Sequence, residues 1–166
     1  MTAFLIIAWT ASSGWAAGPG GRIGFVNTEK AIAGTKEWKK EFGRFKAVFQ
    51  KEKIKIAAKE KQIKQMFEEL KKQGFVLDPK LKKEKEAKFR ADKKNFERYV
   101  QDKNEEFSRQ EKAITDKMLK KMVKMIRRIG KEKKLAMIVD QKMGIYFSPE
   151  NDLTKMATQM YDRIHK

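Results

Sequence analysis

The sequence predicts a mainly helical protein with a small β body, in which a long antiparallel coiled-coil hairpin projects as an arm from a strand-based oligomerisation body. Three observations carry that expectation. Residues 36–134, about three-fifths of the 166-residue chain, keep their apolar side chains at spacings of three and four. One break, near residues 73–80, interrupts the pattern. The composition is 37% charged beside 40% hydrophobic, the balance of a coiled coil rather than of a chain that buries a large core.

Residues 1–17 read as a secretory signal. The apolar run Phe4-Leu5-Ile6-Ile7-Ala8-Trp9 leads into small residues suited to cleavage near Ala16 or Ala17. The run falls far short of the ~20 residues that span a bilayer. The rest of the chain divides into a body, residues 18–35 and 130–166, and an arm, residues 36–129. After a glycine-rich loop at 18–21, residues 22–27 form a short strand in which Ile23 and Phe25 share a face. Asn27 or Thr28 then caps a brief helix reaching Ala33.

Along the arm the apolar stripe runs through Phe42, Phe45, Phe49, Ile56, Ile63, Met66 and Leu70. Gly74 suits a helix end, Asp78 a cap and Pro79 a first helical turn, so the chain turns back there. The stripe resumes at Phe89, Phe96, Val100, Phe107, Ile114 and Met118 and broadens to Met122, Met125, Ile126 and Ile129. In a hairpin of this kind, positions whose numbers sum to about 153 meet, which pairs Phe45 with Phe107, Ile56 with Phe96 and Ile63 with Phe89. It also sets Trp38 near Ile114 at the arm's root. Glu52, Lys59, Lys103 and Gln110 are polar seam positions, which weaken packing and can fix register.

Beyond the arm, residues 135–140 form a second strand and residues 145–147 a third, joined as a hairpin. Asp152 caps a final helix carrying Leu153, Met156, Met160, Tyr161 and Ile164. Three short strands and one helix bury little area alone, so several protomers are expected to pool them, through Ile23, Phe25, Met137, Val139, Ile145 and Phe147.

Charge narrows the function. Residues 36–134 hold 34 Lys and Arg against 17 Asp and Glu, a net +17 of the chain's +18. Lys71, Lys72, Lys80, Lys82, Lys83, Lys85, Lys88, Arg90, Lys93 and Lys94 crowd the distal end, so an acidic polypeptide, an anionic lipid or a nucleic acid is the expected partner. Nucleic acid is the weaker choice, because the arm's phenylalanines lie on the seam rather than free to stack on bases. Catalysis is not expected. The one histidine, His165, stands next to the C-terminus as a solvated side chain, cysteine is absent, and the glycines at 18–24 precede a strand instead of following one. No catalytic, cofactor or metal site is assigned.

In the order of its parts the chain resembles the Skp (OmpH) family of periplasmic chaperones. The likeness rests on Arg22-Ile23-Gly24-Phe25-Val26-Asn27 before a short helix, the basic hairpin, Lys131-Glu132-Lys133 leading into Leu135-Ala136-Met137-Ile138-Val139-Asp140, then Ile145-Tyr146 and Asp152-Leu153-Thr154. The resemblance implies a homotrimer of prefoldin-like or jellyfish-like shape. It implies an ATP-independent holdase that keeps unfolded outer-membrane β-barrel proteins from aggregating, with lipopolysaccharide or anionic lipid as a further ligand. A coiled-coil envelope spacer without clients is the structural alternative.

Overall fold

The structure, a computed structural model, describes residues 21–73 and 77–165. The signal expected at residues 1–17, the loop residues before Gly21 and the helix-ending role read for Gly74 lie outside them. Two helices dominate: α2 (Lys36–Gln73) and α3 (Pro79–Glu132). At about 1.5 Å per residue α2 is about 55 Å long. The start of α3 is fixed locally, since the Asp78 carboxylate accepts from the Lys80 and Leu81 amides and Pro79 occupies the first turn. At its other end the Leu135 amide donates to the Gly130 carbonyl and the Lys134 amide to that of Lys131. This is a Schellman ending, and Lys134 takes the left-handed position with φ of 50°. A side chain there costs about 1 kcal/mol. Lys134→Gly is therefore expected to stabilise the chain by roughly 0.5–1 kcal/mol in urea unfolding.

The body is built by return of the chain to its starting strand. β1 (Ile23–Val26) and β2 (Met137–Asp140) pair in parallel, with Ile23 opposite Met137 and Phe25 opposite Val139. Parallel neighbours need a crossover, and the whole arm supplies it. On the other edge of β1 the Leu153 amide donates to the Phe25 carbonyl at 2.8 Å. The approach is tight at Gly24, where a Cβ would lie 2.5 Å from a methyl of Leu153.

The hairpin expected between residues 135–140 and 145–147 does not form. After β2 the Asp140 carboxylate accepts from the Lys142 amide and starts a 3-10 turn (Gln141–Met143), and β2 spends its pairing edge on β1. Ile145 and Tyr146 are left open to solvent, while Phe147 folds back so that its ring meets Phe25 at 4.7 Å. The sequence holds two apolar runs around a turn. Tertiary pairing decides between a near and a far partner.

Asn27 caps α1 (Thr28–Gly34) by accepting from the Lys30 amide at 2.8 Å. Asp152 acts two residues before the last helix, α4 (Thr154–Ile164), one ahead of the N-cap position that Leu153 takes, by accepting from the Thr154 amide. α1, α4 and the last turns of α3 enclose the core, in which Ala31, Met118, Met122, Ile129, Ala157 and Tyr161 are almost wholly buried. The methionine stripe of α3 is thus packing, with Trp38 and Ile114 resting against it. Of the residues expected inward on α4, Leu153, Met160 and Tyr161 are buried, whereas Met156 and Ile164 remain exposed.

Candidate functional site

The arm is narrow and its seam is held by rings. Phe45 and Phe49 both meet Phe107 edge-on, at 6.0 and 5.1 Å, and nearer the tip Phe67 stacks on Phe89 at 5.6 Å. The hairpin register is therefore as expected near the root. Phe89 stacks on Phe67, one turn beyond the expected Ile63, and Ile63 lines an open cleft of about 450 Å³ with Phe96, Gln62 and Asn95.

Between these apolar zones sits a polar pair, with Glu52 buried and Tyr99 half-buried. Glu52 is 8% exposed and accepts hydrogen bonds from the Tyr99 hydroxyl and from Lys55 Nζ at 3.2 Å. The Tyr99 bond holds the Glu52 carboxyl below its ordinary range, against the opposing effect of burial. Lys103, expected beside Glu52, pairs with Glu106 at 2.7 Å and helps Glu52 only through its charge. Tyr99 was not legible as the partner, because it stands one position before the seam residue Val100. Tyr99→Phe should raise the Glu52 pKa and speed amide exchange in the middle of the arm roughly fivefold, while exchange in the body stays as it is. Exchange protection that is unchanged along the whole arm would show that the pair carries no weight.

The distal cations stand out in solvent, except for the half-buried Lys85. Lys71 pairs with Glu68, Arg90 with Glu86 and Lys93 with Glu97, all at 3.7–3.8 Å, and Lys85 donates to the Gln73 side chain at 2.8 Å. Lys72, Lys80, Lys82, Lys83, Lys88 and Lys94 have no carboxylate within 4.0 Å among the described residues. Beside them Phe67 and Leu81 are exposed, with Lys71 Nζ 4.5 Å from the centre of the Phe67 ring. The end of the arm thus carries free positive charge next to apolar surface.

The root is clamped by a group that the sequence did not mark. Glu37, in the first turn of α2, accepts from Lys121 at 2.7 Å, from the Tyr161 hydroxyl at 2.6 Å and from Lys117 at 3.1 Å, tying α2, α3 and α4 together. Burial alone would raise its carboxyl, but these donors outweigh it and bring the pKa down to about 2. Burial, then the Glu37 carboxylate, raises the Tyr161 phenol above its usual value, so it stays a donor.

On the body, Ile23 and Met137 lie side by side and half-exposed, and Ile145 is fully exposed. Phe25 is buried within the chain, and Val139 and Phe147 are partly covered. His165, expected in solvent, packs its ring on Tyr161 at 4.7 Å, and its Nε2 is buried without a partner among the described residues. Among the described residues no group of three His, Cys, Asp or Glu is placed to hold a metal ion, and no helix is long and apolar enough to cross a membrane.

A basic two-helix arm on a small mixed body, with open grooves along the seam, defines a protein that presents long exposed surfaces. The chain belongs to the OmpH-like outer membrane protein family, whose model matches residues 22–160. Its fold is similar to the crystal structure of a candidate outer membrane chaperone (OmpH-like) from Caulobacter crescentus CB15. The TM-score is 0.74, with 13% identity over 86% of this chain and 84% of that one. No match was found among curated proteins.

Proposed function

We propose that the protein is an ATP-independent holdase of the periplasm, which captures unfolded outer-membrane β-barrel proteins between basic arms and keeps them from aggregating before insertion. The observation that carries this reading is the distal arm, where unpaired lysines stand beside exposed Phe67 and Leu81. Many weak contacts of both kinds hold a flexible chain without selecting one fold of it. Membership of the OmpH-like family and the chaperone label of the structural relative support the same reading. Three protomers joined through the open body face, Ile23, Met137 and Ile145, would surround a client with arms.

The test is light scattering after a urea-unfolded outer-membrane barrel protein is diluted into buffer with and without the mature chain. Suppression saturating near one trimer per client is the expected result, with sedimentation giving the trimer mass. Unchanged aggregation would sink the holdase reading. The same distal chemistry also suits the phosphates of lipopolysaccharide or anionic lipid, and co-flotation with anionic but not neutral vesicles checks that second ligand.

A further inference from the structure

The arm carries a second surface, away from its seam. At 100° per residue Arg44, Val48, Lys51, Ile54, Lys55 and Ala58 fall within about a third of the circumference of α2. That sector points away from Phe45, Phe49 and Ile56, which face α3. All six are exposed, and Val48 and Ile54 keep 55% and 62% of their surface open. A solvated helix face is ordinarily polar, so two bare aliphatics among cations are out of place there. At its edge the face runs into an open groove of about 370 Å³ between α2 and α3, lined by Glu41, Arg44, Val48, Gln110 and Ile114.

Charge selects the occupant. Arg44 lies 3.8 Å from Glu41 and Lys55 3.2 Å from Glu52, both acids lying toward the seam, and Lys51 has no carboxylate within 4.0 Å among the described residues. The sector itself contains cations and apolar groups only. A second arm laid against this face is a poor fit, because residues 36–134 carry a net +17 and two such arms side by side repel each other, whereas the body through which copies would join is near neutral. Two aliphatics on the side of a long helix are also too few to anchor it in lipid.

We propose that this face of α2 binds extended segments of unfolded polypeptide in which aliphatic residues alternate with carboxylates. Residues 44–55 cover about 17 Å, the length of roughly five extended residues, so one short strand-like segment spans the face. Its apolar side chains would cover Val48 and Ile54 while its carboxylates meet Arg44, Lys51 and Lys55. As a client site, this surface rests on the holdase reading. As a surface for acidic apolar segments, it stands on its own chemistry.

The probe is a fluorescein-labelled peptide of alternating leucine and aspartate, compared with its leucine–asparagine counterpart in fluorescence anisotropy. The aspartate peptide should bind the full mature chain about tenfold more tightly. Joint replacement Val48→Gln and Ile54→Gln should weaken it about tenfold, and Lys51→Glu roughly fivefold. Lys120→Glu, the same charge change elsewhere, should have little effect. Far-UV circular dichroism confirms that each variant stays helical. If the chain suppresses barrel aggregation but the double glutamine variant binds the aspartate peptide as tightly as the parent, the face is refuted and the holdase reading stands. If peptide binding follows the substitutions while barrel aggregation proceeds unchecked, the face stands and the holdase reading falls. Equal affinity for the two peptides removes the electrostatic selection and overturns the proposal.

Discussion

Joint replacement of Lys82, Lys83, Lys85 and Lys88 by glutamate is expected to weaken capture of an unfolded barrel protein roughly thirtyfold. At roughly 0.5 kcal/mol per screened surface contact, four lost contacts amount to about 2 kcal/mol. Any one of the four changes alone should cost about twofold, because no single cation dominates a solvated cluster. Lys82, Lys83 and Lys88 have no internal carboxylate among the described residues, so their reversal breaks no ion pair within the chain. Lys85→Glu removes the donor to Gln73, which makes a triple variant without it the control. Screening acts over roughly 10 Å at 0.1 M salt, so the gap between parent and variant should narrow as salt rises. Capture by the quadruple variant at parental strength would mean that clients are held by apolar contacts alone.

Glu37→Gln is expected to cost about 3 kcal/mol at pH 7 and to remove an acid-sensitive component of stability. The carboxyl is held at about 2 in the folded chain against an ordinary 4.5, a difference equivalent to roughly 3 kcal/mol. Because the folded value is the lower one, this stabilisation is complete above pH 4.5 and is lost as pH falls from 4.5 toward 2. Urea unfolding at pH 7 and at pH 3 measures it. The parent should lose most of its advantage over the variant at the lower pH. A constant difference between the two would show that charge on Glu37 contributes nothing and that the variant suffers from packing alone. Glu37→Ala should be worse at pH 7, since it leaves the fully buried Tyr161 hydroxyl with only the Met118 sulfur at 3.2 Å.

The distal cations were legible because a run of lysines needs no fold to be noticed. Their freedom was not, since whether Glu86 serves Arg90, or Glu97 serves Lys93, is settled by rotation around the helix and side-chain reach. Glu37 illustrates the opposite case. In the sequence it is one acid in a first helical turn, and only the closing of α3 and α4 over it makes it a clamp. Val48 and Ile54 fall off the period of the seam, and only the packed arm shows that they are left uncovered.

What the sequence determined by itself is the set of local structures. Asn27 and Asp78 cap helices through amides two or three residues away, and the spacing of Phe42, Phe45 and Phe49 marks a helical face within a few turns. Hairpin register near the root followed from the same periodicity, as the contact of Phe45 with Phe107 shows. Only the tertiary structure decided that β2 lies parallel to β1 instead of folding onto residues 145–147, and that Tyr99 answers Glu52. Caps and helical stripes are settled by neighbours a few residues apart. Pairing Ile23 with Met137 or Glu37 with Tyr161 compares partners more than a hundred positions away, and that comparison is made by the packing of the whole body.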